Sequence, residues 1–466
     1  MNHPVDIVIM AAGKGTRMKS NTPKVLQKLA HQGLVHHVLD TAAQLDARNV
    51  VVITGHGAEQ VEAALATASD QQPRRQFVRQ MPQLGTGHAV QQAVPVLADD
   101  GIVVILSGDV PLTQASTVRE LVAACDNQNL ALLTITLDNP FGYGRVVRDA
   151  AGNVNRIVEQ KDGNAQELAV KETYTGIMAA PARLLKGWLS RIDNNNAQNE
   201  YYLTDVVKLA VSDGVNVVAC PTTDPAQVAG VNSPQQLAEL EREYQLRVAQ
   251  QLMVDGVRLR DPARIDVRGQ LQCGQDVDID VNCIFEGRVV LGSNVRIGAN
   301  CVLANCTIGD NTVIHPFTHI DGEKAGASVG QGALIGPFAR LRPGAELGDE
   351  VHIGNFVEVK NSTLAKGAKA NHLAYLGDAT VGERVNYGAG SITANYDGAN
   401  KHRTVIENDV HIGSNSVLVA PVVIGAGGTV GAGSAIGRDT PPNALSVVRG
   451  KLTQKAGYER PKKEQK

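Results

Sequence analysis

From about Asp276 to Gly437 an aliphatic residue followed by glycine recurs in steps that are mostly six or twelve, with slips to five. The aliphatic positions are Leu291, Ile297, Ile308, Val329, Ile335, Leu347, Ile353, Leu376, Val381, Ile412, Ile424, Val430 and Ile436. A helix of period 3.6 cannot keep residues six apart on one face. A short strand, a corner and another short strand can, provided the chain coils as a prism. The repeat predicts a parallel β-helix of hexapeptide repeats. Its aliphatic residues stack inside, and the small residue beside each lets the backbone turn. Each coil buries its apolar side only against the next, so the array holds together as a unit. An aromatic content of 3%, with Trp188 the sole tryptophan, suits a core of stacked Ile, Leu and Val.

A chain of 466 residues has room for two or three domains. Its net charge of −3 gives no electrostatic ground for binding nucleic acid. The six cysteines (Cys125, Cys220, Cys273, Cys283, Cys301 and Cys306) include no C-x-x-C pair. They are expected to be reduced packing residues of a cytoplasmic protein. The first apolar run, Val5–Ala12, contains Asp6 and meets Gly13, so it predicts a strand and no membrane span.

Residues 1–232 alternate apolar runs (5–12, 50–54, 102–106, 130–136, 215–219) with helical patterns (34–45, 117–124, 202–211). That alternation predicts an α/β domain with a mainly parallel sheet and ligands at the carboxyl ends of its strands. The glycine loop after the first run, AAGKGTRM, is neither G-x-G-x-x-G nor a Walker loop. By itself such a loop is most simply a turn. Arg17 and Lys24 close behind it add two cations, which with backbone N–H groups suit a triphosphate. In LSGDVPL, Asp109 falls at a strand end, where a carboxylate suits either a magnesium ion or a plain turn.

Residues 233–255 predict a connecting helix: Ser233 at the N-cap, Pro234 at the first position and Gln236 at the third, with Gly256 as the stop. Its charged residues, Glu239, Glu241, Arg242, Glu243 and Arg247, are expected to face water. The repeat domain, 256–450, is interrupted at 321–328 and, at greater length, at TANYDGANKHRT (393–404). Loops that leave a regular scaffold are where binding groups gather. Between the breaks stand Arg340, Arg342, Lys360, His372 and Tyr375, residues for which the repeat offers no packing role. A lone histidine in a repeat is ordinarily a solvated side chain. Beside two cations suited to a sugar phosphate, His372 also suits a base that takes a proton from an amine during acyl transfer. The tail, 451–466, is basic and expected to be solvated.

The motifs G-x-G-T-R-M with P-K, QLGTGHA (83–89), SGDVPL, GYGR with VEQKD, and NNNAQNEYYLTD resemble those of sugar-1-phosphate nucleotidyltransferases. Over the whole chain the resemblance is to the bifunctional N-acetylglucosamine-1-phosphate uridylyltransferase/glucosamine-1-phosphate N-acetyltransferase family. It implies a Rossmann-like nucleotidyltransferase domain joined by a long helix to a left-handed, three-faced β-helix of 18 residues per coil. It also implies a homotrimer whose acetyl sites are shared between subunits, and synthesis of a precursor of bacterial envelope polysaccharides. Glucosamine 1-phosphate, acetyl-CoA and UTP would be substrates and Mg²⁺ the cofactor.

Residue by residue, the resemblance places Ala11, Ala12, Gly13, Lys14, Arg17 and Lys24 around the nucleotide phosphates, with Ser107 and Gly108 nearby. Gln80, Gly85 and Thr86 would read uracil, Gly144 and Glu159 would hold N-acetylglucosamine, and Asp109 and Asn232 would bind the metal. In the repeat domain His372 would be the general base. Arg342, Lys360, Tyr375 and Asn386 would bind glucosamine 1-phosphate, and Ala389, Asn395, Tyr396, Ser414, Ala432 and Arg449 would line acetyl-CoA. Two positions depart from the family pattern: Ser107 stands where a tyrosine is frequent, and Tyr174 where an asparagine contacts the sugar. The alternative is a nucleotidyltransferase for another sugar with a β-helix that only regulates or oligomerises.

Overall fold

The computed structural model describes residues 3–66 and 74–460; of the basic tail, Lys462, Lys463 and Lys466 lie outside them. The chain divides into two compact units, Met1–Tyr244 and Gln245–Lys466.

Among the described residues, the first unit is built on a sheet of nine strands: β1 (Val5–Ala11), β2 (Asn49–Thr54), β3 (Arg74–Arg79), β4 (Ile102–Ser107), β5 (Leu130–Thr136), β6 (Gly144–Arg148), β7 (Val154–Val158), β8 (Glu172–Pro181) and β9 (Val217–Thr222). Their order is β9-β5-β8-β4-β1-β2-β3. The pairs β1/β2, β1/β4, β2/β3 and β5/β9 are parallel. Strand β8 runs antiparallel between β4 and β5, and β6 and β7 branch from it. Both faces of the sheet are covered, so β1 and β4 are apolar on both faces apart from Asp6 and Ser107 and are largely buried. From β1 the chain passes to β2 on one side of the sheet, and from β4 to β5 on the other. The crevice at their carboxyl ends is therefore the switch point where an α/β sheet takes its ligand.

The second unit coils in three parallel ladders. Residues 18 apart pair, as Asp278 with Arg296 and Leu334 with His352. The step grows to 21 between Val313 and Leu334 and to 25 between Asn386 and His411, where the two interruptions lie. The aliphatic positions picked out by the repeat are all buried, none more than 4% exposed. One ladder stacks Ile279, Ile297, Ile314, Ile335 and Ile353 in register. Asparagine takes the left-handed corner conformation at Asn282, Asn294, Asn300 and Asn311, as its short polar side chain allows.

The helix Pro234–Val254 begins as its sequence predicts: Ser233 Oγ accepts from Gln236 N–H, and the Gln236 side chain accepts from Asn232 N–H at 2.8 Å. Leu237, Leu240 and Tyr244 pack with Met18, Leu29, Leu34 and Val231 in the first unit. Val248, Ala249 and Leu252 belong to the core of the coil. Buried Gln245 brackets Val267, accepting from its N–H at 2.7 Å and donating to its carbonyl at 3.1 Å. One expectation for this helix is corrected. Glu241 is no solvated charge, because its carboxylate accepts from the Ala30 N–H at 2.6 Å.

Candidate functional sites

At the carboxyl ends of β1 and β4 lies a cleft of about 480 Å³ lined by Ala11, Ala12, Gly13, Lys14, Lys24, Gln80, Gly85, Thr86, Ser107 and Asp109. The loop after β1 is shaped by Gly15, at φ 58°, where a Cβ would fall 2.6 Å from Lys24 Cβ. Glycine there permits the turn and leaves room for the Lys24 stem. Lys24 Nζ donates to Asp109 Oδ2 and, at 3.1 Å, to Asn232 Oδ1. Asn232 is held by Gln236 and Asp109 by the Val231 N–H, which donates to its carbonyl at 2.9 Å. Gly108 N–H donates to Met10 carbonyl at 2.9 Å, so the Asp109 turn is pinned to β1. Arg17, by contrast, is exposed and outside the cleft lining.

The far wall is set by the segment after QLG. Gly85, at φ 111°, faces the Tyr201 backbone, with which any Cβ would collide at 2.6 Å. Gly87 N–H donates to Tyr201 carbonyl at 2.7 Å and Tyr201 N–H to Leu84 carbonyl at 2.8 Å. Thr86 Oγ1 accepts from Leu203 N–H at 3.0 Å. Gln80 is buried, and its amide nitrogen contacts Gly85 carbonyl at 2.9 Å and His88 Nδ1 at 3.2 Å. That leaves Oε1 as the side-chain acceptor for a donor in the cleft. Sequence reasoning passed over Gln83 and Glu200, which also line the cleft; both stand inside motifs it quoted, QLGTGHA and QNEYY.

Beside the cleft, Tyr174 pairs with Gly144, and Arg145 with Val158, so Tyr174, Gly144 and Glu159 form one cross-strand row. Gly144 leaves the middle of that row without a side chain, and a Cβ there would strike Ile157 at 2.7 Å. Burial pushes the Glu159 carboxyl above its usual range, against a hydrogen bond from Thr204 Oγ1 at 3.0 Å. The Tyr174 hydroxyl is buried with no hydrogen-bond partner among the described residues.

In the coil, His372 is exposed and its Nδ1 lies 3.0 Å from Asn355 Oδ1. Arg340, Glu358, Tyr375 and Ile392 succeed one another in register. Arg340 and Arg342, for which the repeat offers no packing role, both converge on Glu358, at 3.5 and 2.8 Å. Lys360 lies 4.0 Å from buried Asp378. The neighbouring Lys401 ammonium lowers the Lys360 pKa more than any other influence. Asp378 accepts from Asn361 Nδ2 at 2.5 Å and from Asn395 Nδ2. The Tyr375 hydroxyl lies over Gly377, the register partner of Lys360. Lys401 was missed because it follows Lys360 by 41 residues and returns only through the polar loop. Within that loop Tyr396 bridges Lys401, and Asp397 accepts from Ala399 and Asn400 N–H and contacts His402 Nε2 at 2.7 Å.

Above His372 the predicted acyl-donor residues Ala389, Ser414 and Ala432 follow one corner of successive coils, while Asn395, bound to Asp378, and Tyr396, in the polar loop, do not. Gly390 N–H donates to His372 carbonyl at 3.2 Å, Asn415 N–H to Ala389 carbonyl at 2.8 Å, and Gly433 N–H to Ser414 carbonyl at 2.8 Å. Arg449 Nε donates to Ala432 carbonyl at 3.1 Å. Asn386 is exposed one position before buried Tyr387, in register with Lys369.

Fold and site geometry thus define a nucleotidyltransferase unit followed by a hexapeptide transferase coil. Family models agree: the MobA-like NTP transferase domain matches residues 7–169, and the bacterial transferase hexapeptide model matches 288–322, 326–361 and 403–438. The chain is 70% identical over 466 residues to the bifunctional protein GlmU of Polaromonas naphthalenivorans, covering 99% of this chain and 98% of that one. To its namesakes in Acidovorax ebreus and Azoarcus sp. it is 67% and 55% identical, with 99% of this chain covered in each. The chain belongs to the GlmU family and is a bifunctional acetyltransferase and uridylyltransferase. No helix of the described residues is long and apolar enough to cross a membrane.

Proposed function

We propose that the coil acetylates glucosamine 1-phosphate from acetyl-CoA, and that the first unit joins the product to UMP from UTP, releasing pyrophosphate and UDP-N-acetylglucosamine. The observation that carries this reading is the convergence of Lys24, Asp109 and Asn232 at the strand ends, in one chain with a histidine held by Asn355 in a coil that also carries Arg342, Lys360 and Lys401.

In the first unit the nucleophile is a phosphate oxygen of the sugar phosphate, already anionic, so no side chain need act as base. It attacks the α-phosphorus of UTP in line, and the bond to pyrophosphate breaks. Positioning and charge neutralisation by Lys24, Arg17 and the loop N–H groups are what this chain contributes. The Asp109 carboxylate and Asn232 amide oxygen already surround one cation, the Lys24 ammonium, and two hard oxygen donors suit Mg²⁺. These residues would hold the ion, which when bound neutralises phosphate charge. Gln80 Oε1 is suited to accept from uracil N3–H. Glu159, Gly144 and the row they share with Tyr174 are suited to the sugar.

In the coil, Arg342, Lys360 and Lys401 supply positive charge for the sugar phosphate, and Tyr375 and Asn386 flank it. His372 Nε2 takes the amine proton as nitrogen attacks the thioester carbonyl, and CoA leaves as the C–S bond breaks. The column Ala389, Ser414, Ala432, Arg449 gives the pantetheine arm a run of small residues ending at a cation.

A trimer is supported by Phe317, Phe338 and Phe356, which stack at 5.0 and 5.4 Å on the corner that continues to Leu373, next to His372. All four hold φ between 50° and 61° and are about half exposed or more. Bulky residues rarely keep that conformation, at a cost of about 1–3 kcal/mol each, unless it serves a function. A second copy packed on this corner would bring a subunit boundary to His372. We assign the enzyme to the cytoplasm, where its substrates and reduced cysteines fit. Following the phosphorus signals during incubation with glucosamine 1-phosphate, acetyl-CoA and UTP tests the order. N-acetylglucosamine 1-phosphate should accumulate when UTP is withheld. Its absence, or uridylylation of the unacetylated sugar first, contradicts the reading.

A further inference from the structure

The two oxygens assigned to a divalent ion already hold a cation of the chain's own. Lys24 Nζ reaches both Asp109 and Asn232. The contact is largely withdrawn from water, with 13% and 20% of the Lys24 and Asp109 side chains exposed. Opposite charges placed so strengthen one another, and removing either leaves a poorly solvated partner. The position is built. Lys24 opens the short turn Lys24–Leu26, its stem fills the space left by Gly15, and Gln236 fixes the backbone of Asn232. Yet the same ammonium lines the cleft where the phosphates belong. It sits on a flexible four-carbon stem with three rotatable donors. One ammonium cannot both fill the Asp109–Asn232 position and grip a phosphate while a second cation lies between those oxygens.

We propose that Lys24 is a displaceable counter-ion of the metal site. Without nucleotide it occupies the place between Asp109 and Asn232, and it gives up that place only when a divalent ion takes it. The released ammonium then serves the phosphates. The exchange makes the ion a weak ligand alone and a tight one with nucleotide, since phosphate oxygens compensate the displaced Lys24. By reciprocity the ion strengthens nucleotide binding to the same degree. This inference rests on the assignment of Asp109 and Asn232 as metal ligands.

Mn²⁺ binding, read by the loss of its free EPR signal without nucleotide, tests the exchange in the full chain. Lys24→Met keeps an unbranched stem and removes the competing charge, and should bind Mn²⁺ about tenfold tighter than the unaltered protein or more. Asp109→Asn added to it should remove the gain. Equal or weaker binding by Lys24→Met, with Asp109 still required, overturns the exchange while leaving the metal assignment standing. Binding indifferent to Asp109→Asn overturns the assignment itself and the exchange with it. Scanning calorimetry of the same variants, with the melting transition of the first unit retained, reports that it is folded. In the unaltered protein, reductive methylation of Lys24 followed by peptide mass analysis should rise several-fold on adding Mn²⁺ alone. Unchanged labelling overturns the proposal.

Discussion

His372 Nδ1 and Asn355 Oδ1 stand 3.0 Å apart on register-paired positions of adjacent coils. An amide oxygen only accepts, so Nδ1 carries the hydrogen and the Nε2 lone pair is left for a proton from substrate. Replacing Asn355 with Ala removes the orientation and should lower kcat for acetyl transfer by about tenfold to a hundredfold, with KM for glucosamine 1-phosphate little changed. Asn355→Asp should restore orientation. Its carboxylate favours the imidazolium, so the acid limb of the kcat/KM profile should move to higher pH. Steady-state kinetics across pH check both.

Glu159 should exchange stability for function. Burial raises its carboxyl above the usual value of 4.5, so the folded state binds the proton more tightly than the unfolded state. Stability therefore falls as pH rises through the interval between the two values. The cost is absent well below the ordinary value and full above the raised one. Glu159→Gln should melt higher than the unaltered protein at pH 7 and not at pH 4, as scanning calorimetry would read. The KM for N-acetylglucosamine 1-phosphate should rise about tenfold with the loss of a charged acceptor.

Tyr174 offers a second test of that row. Its hydroxyl lacks a partner among the described residues, and an unpaired buried hydroxyl costs about 1–3 kcal/mol. Tyr174→Phe should stabilise the first unit by about 1 kcal/mol and raise the KM for the sugar phosphate several-fold, leaving that for UTP unchanged. A stabilised variant with unchanged sugar KM would make Tyr174 a packing residue only.

The stacked corner predicts an assembly effect. Phe338→Asp places a charge between Phe317 and Phe356, and a desolvated carboxylate there disfavours any packed neighbour. Sedimentation should show the proposed trimer dissociating, with acetyl transfer lost and uridylyl transfer retained.

Much of this was legible in the sequence for identifiable reasons. The six-residue period survives because each coil repeats one burial problem, so Ile297 and Ile335 meet the same surroundings and need the same residue. The runs that became β1, β4 and β5 are mostly apolar, broken only by Asp6, Ser107, Thr134 and Thr136, because both their faces are covered. Gly144–Arg148 and Val154–Val158 escaped notice, being short and partly exposed, without a continuous apolar run. In the sites, glycines and cations next to strand ends stood out. Asn355 did not, since asparagine is frequent in the coil and nothing marks the one facing a histidine. Glu358 and Asp378 likewise look like ordinary surface acids until register sets them beside Arg342 and Lys360.

The central claim is two independent reaction centres in one polypeptide, and reciprocal variants test it most directly. His372→Ala and Asp109→Ala proteins would be assayed for thiol release from acetyl-CoA with glucosamine 1-phosphate, and for pyrophosphate release from UTP with N-acetylglucosamine 1-phosphate. The account predicts that His372→Ala loses only the thiol signal and Asp109→Ala only the pyrophosphate signal. Loss of both signals in either folded variant, or survival of thiol release in His372→Ala at the normal rate, would contradict it.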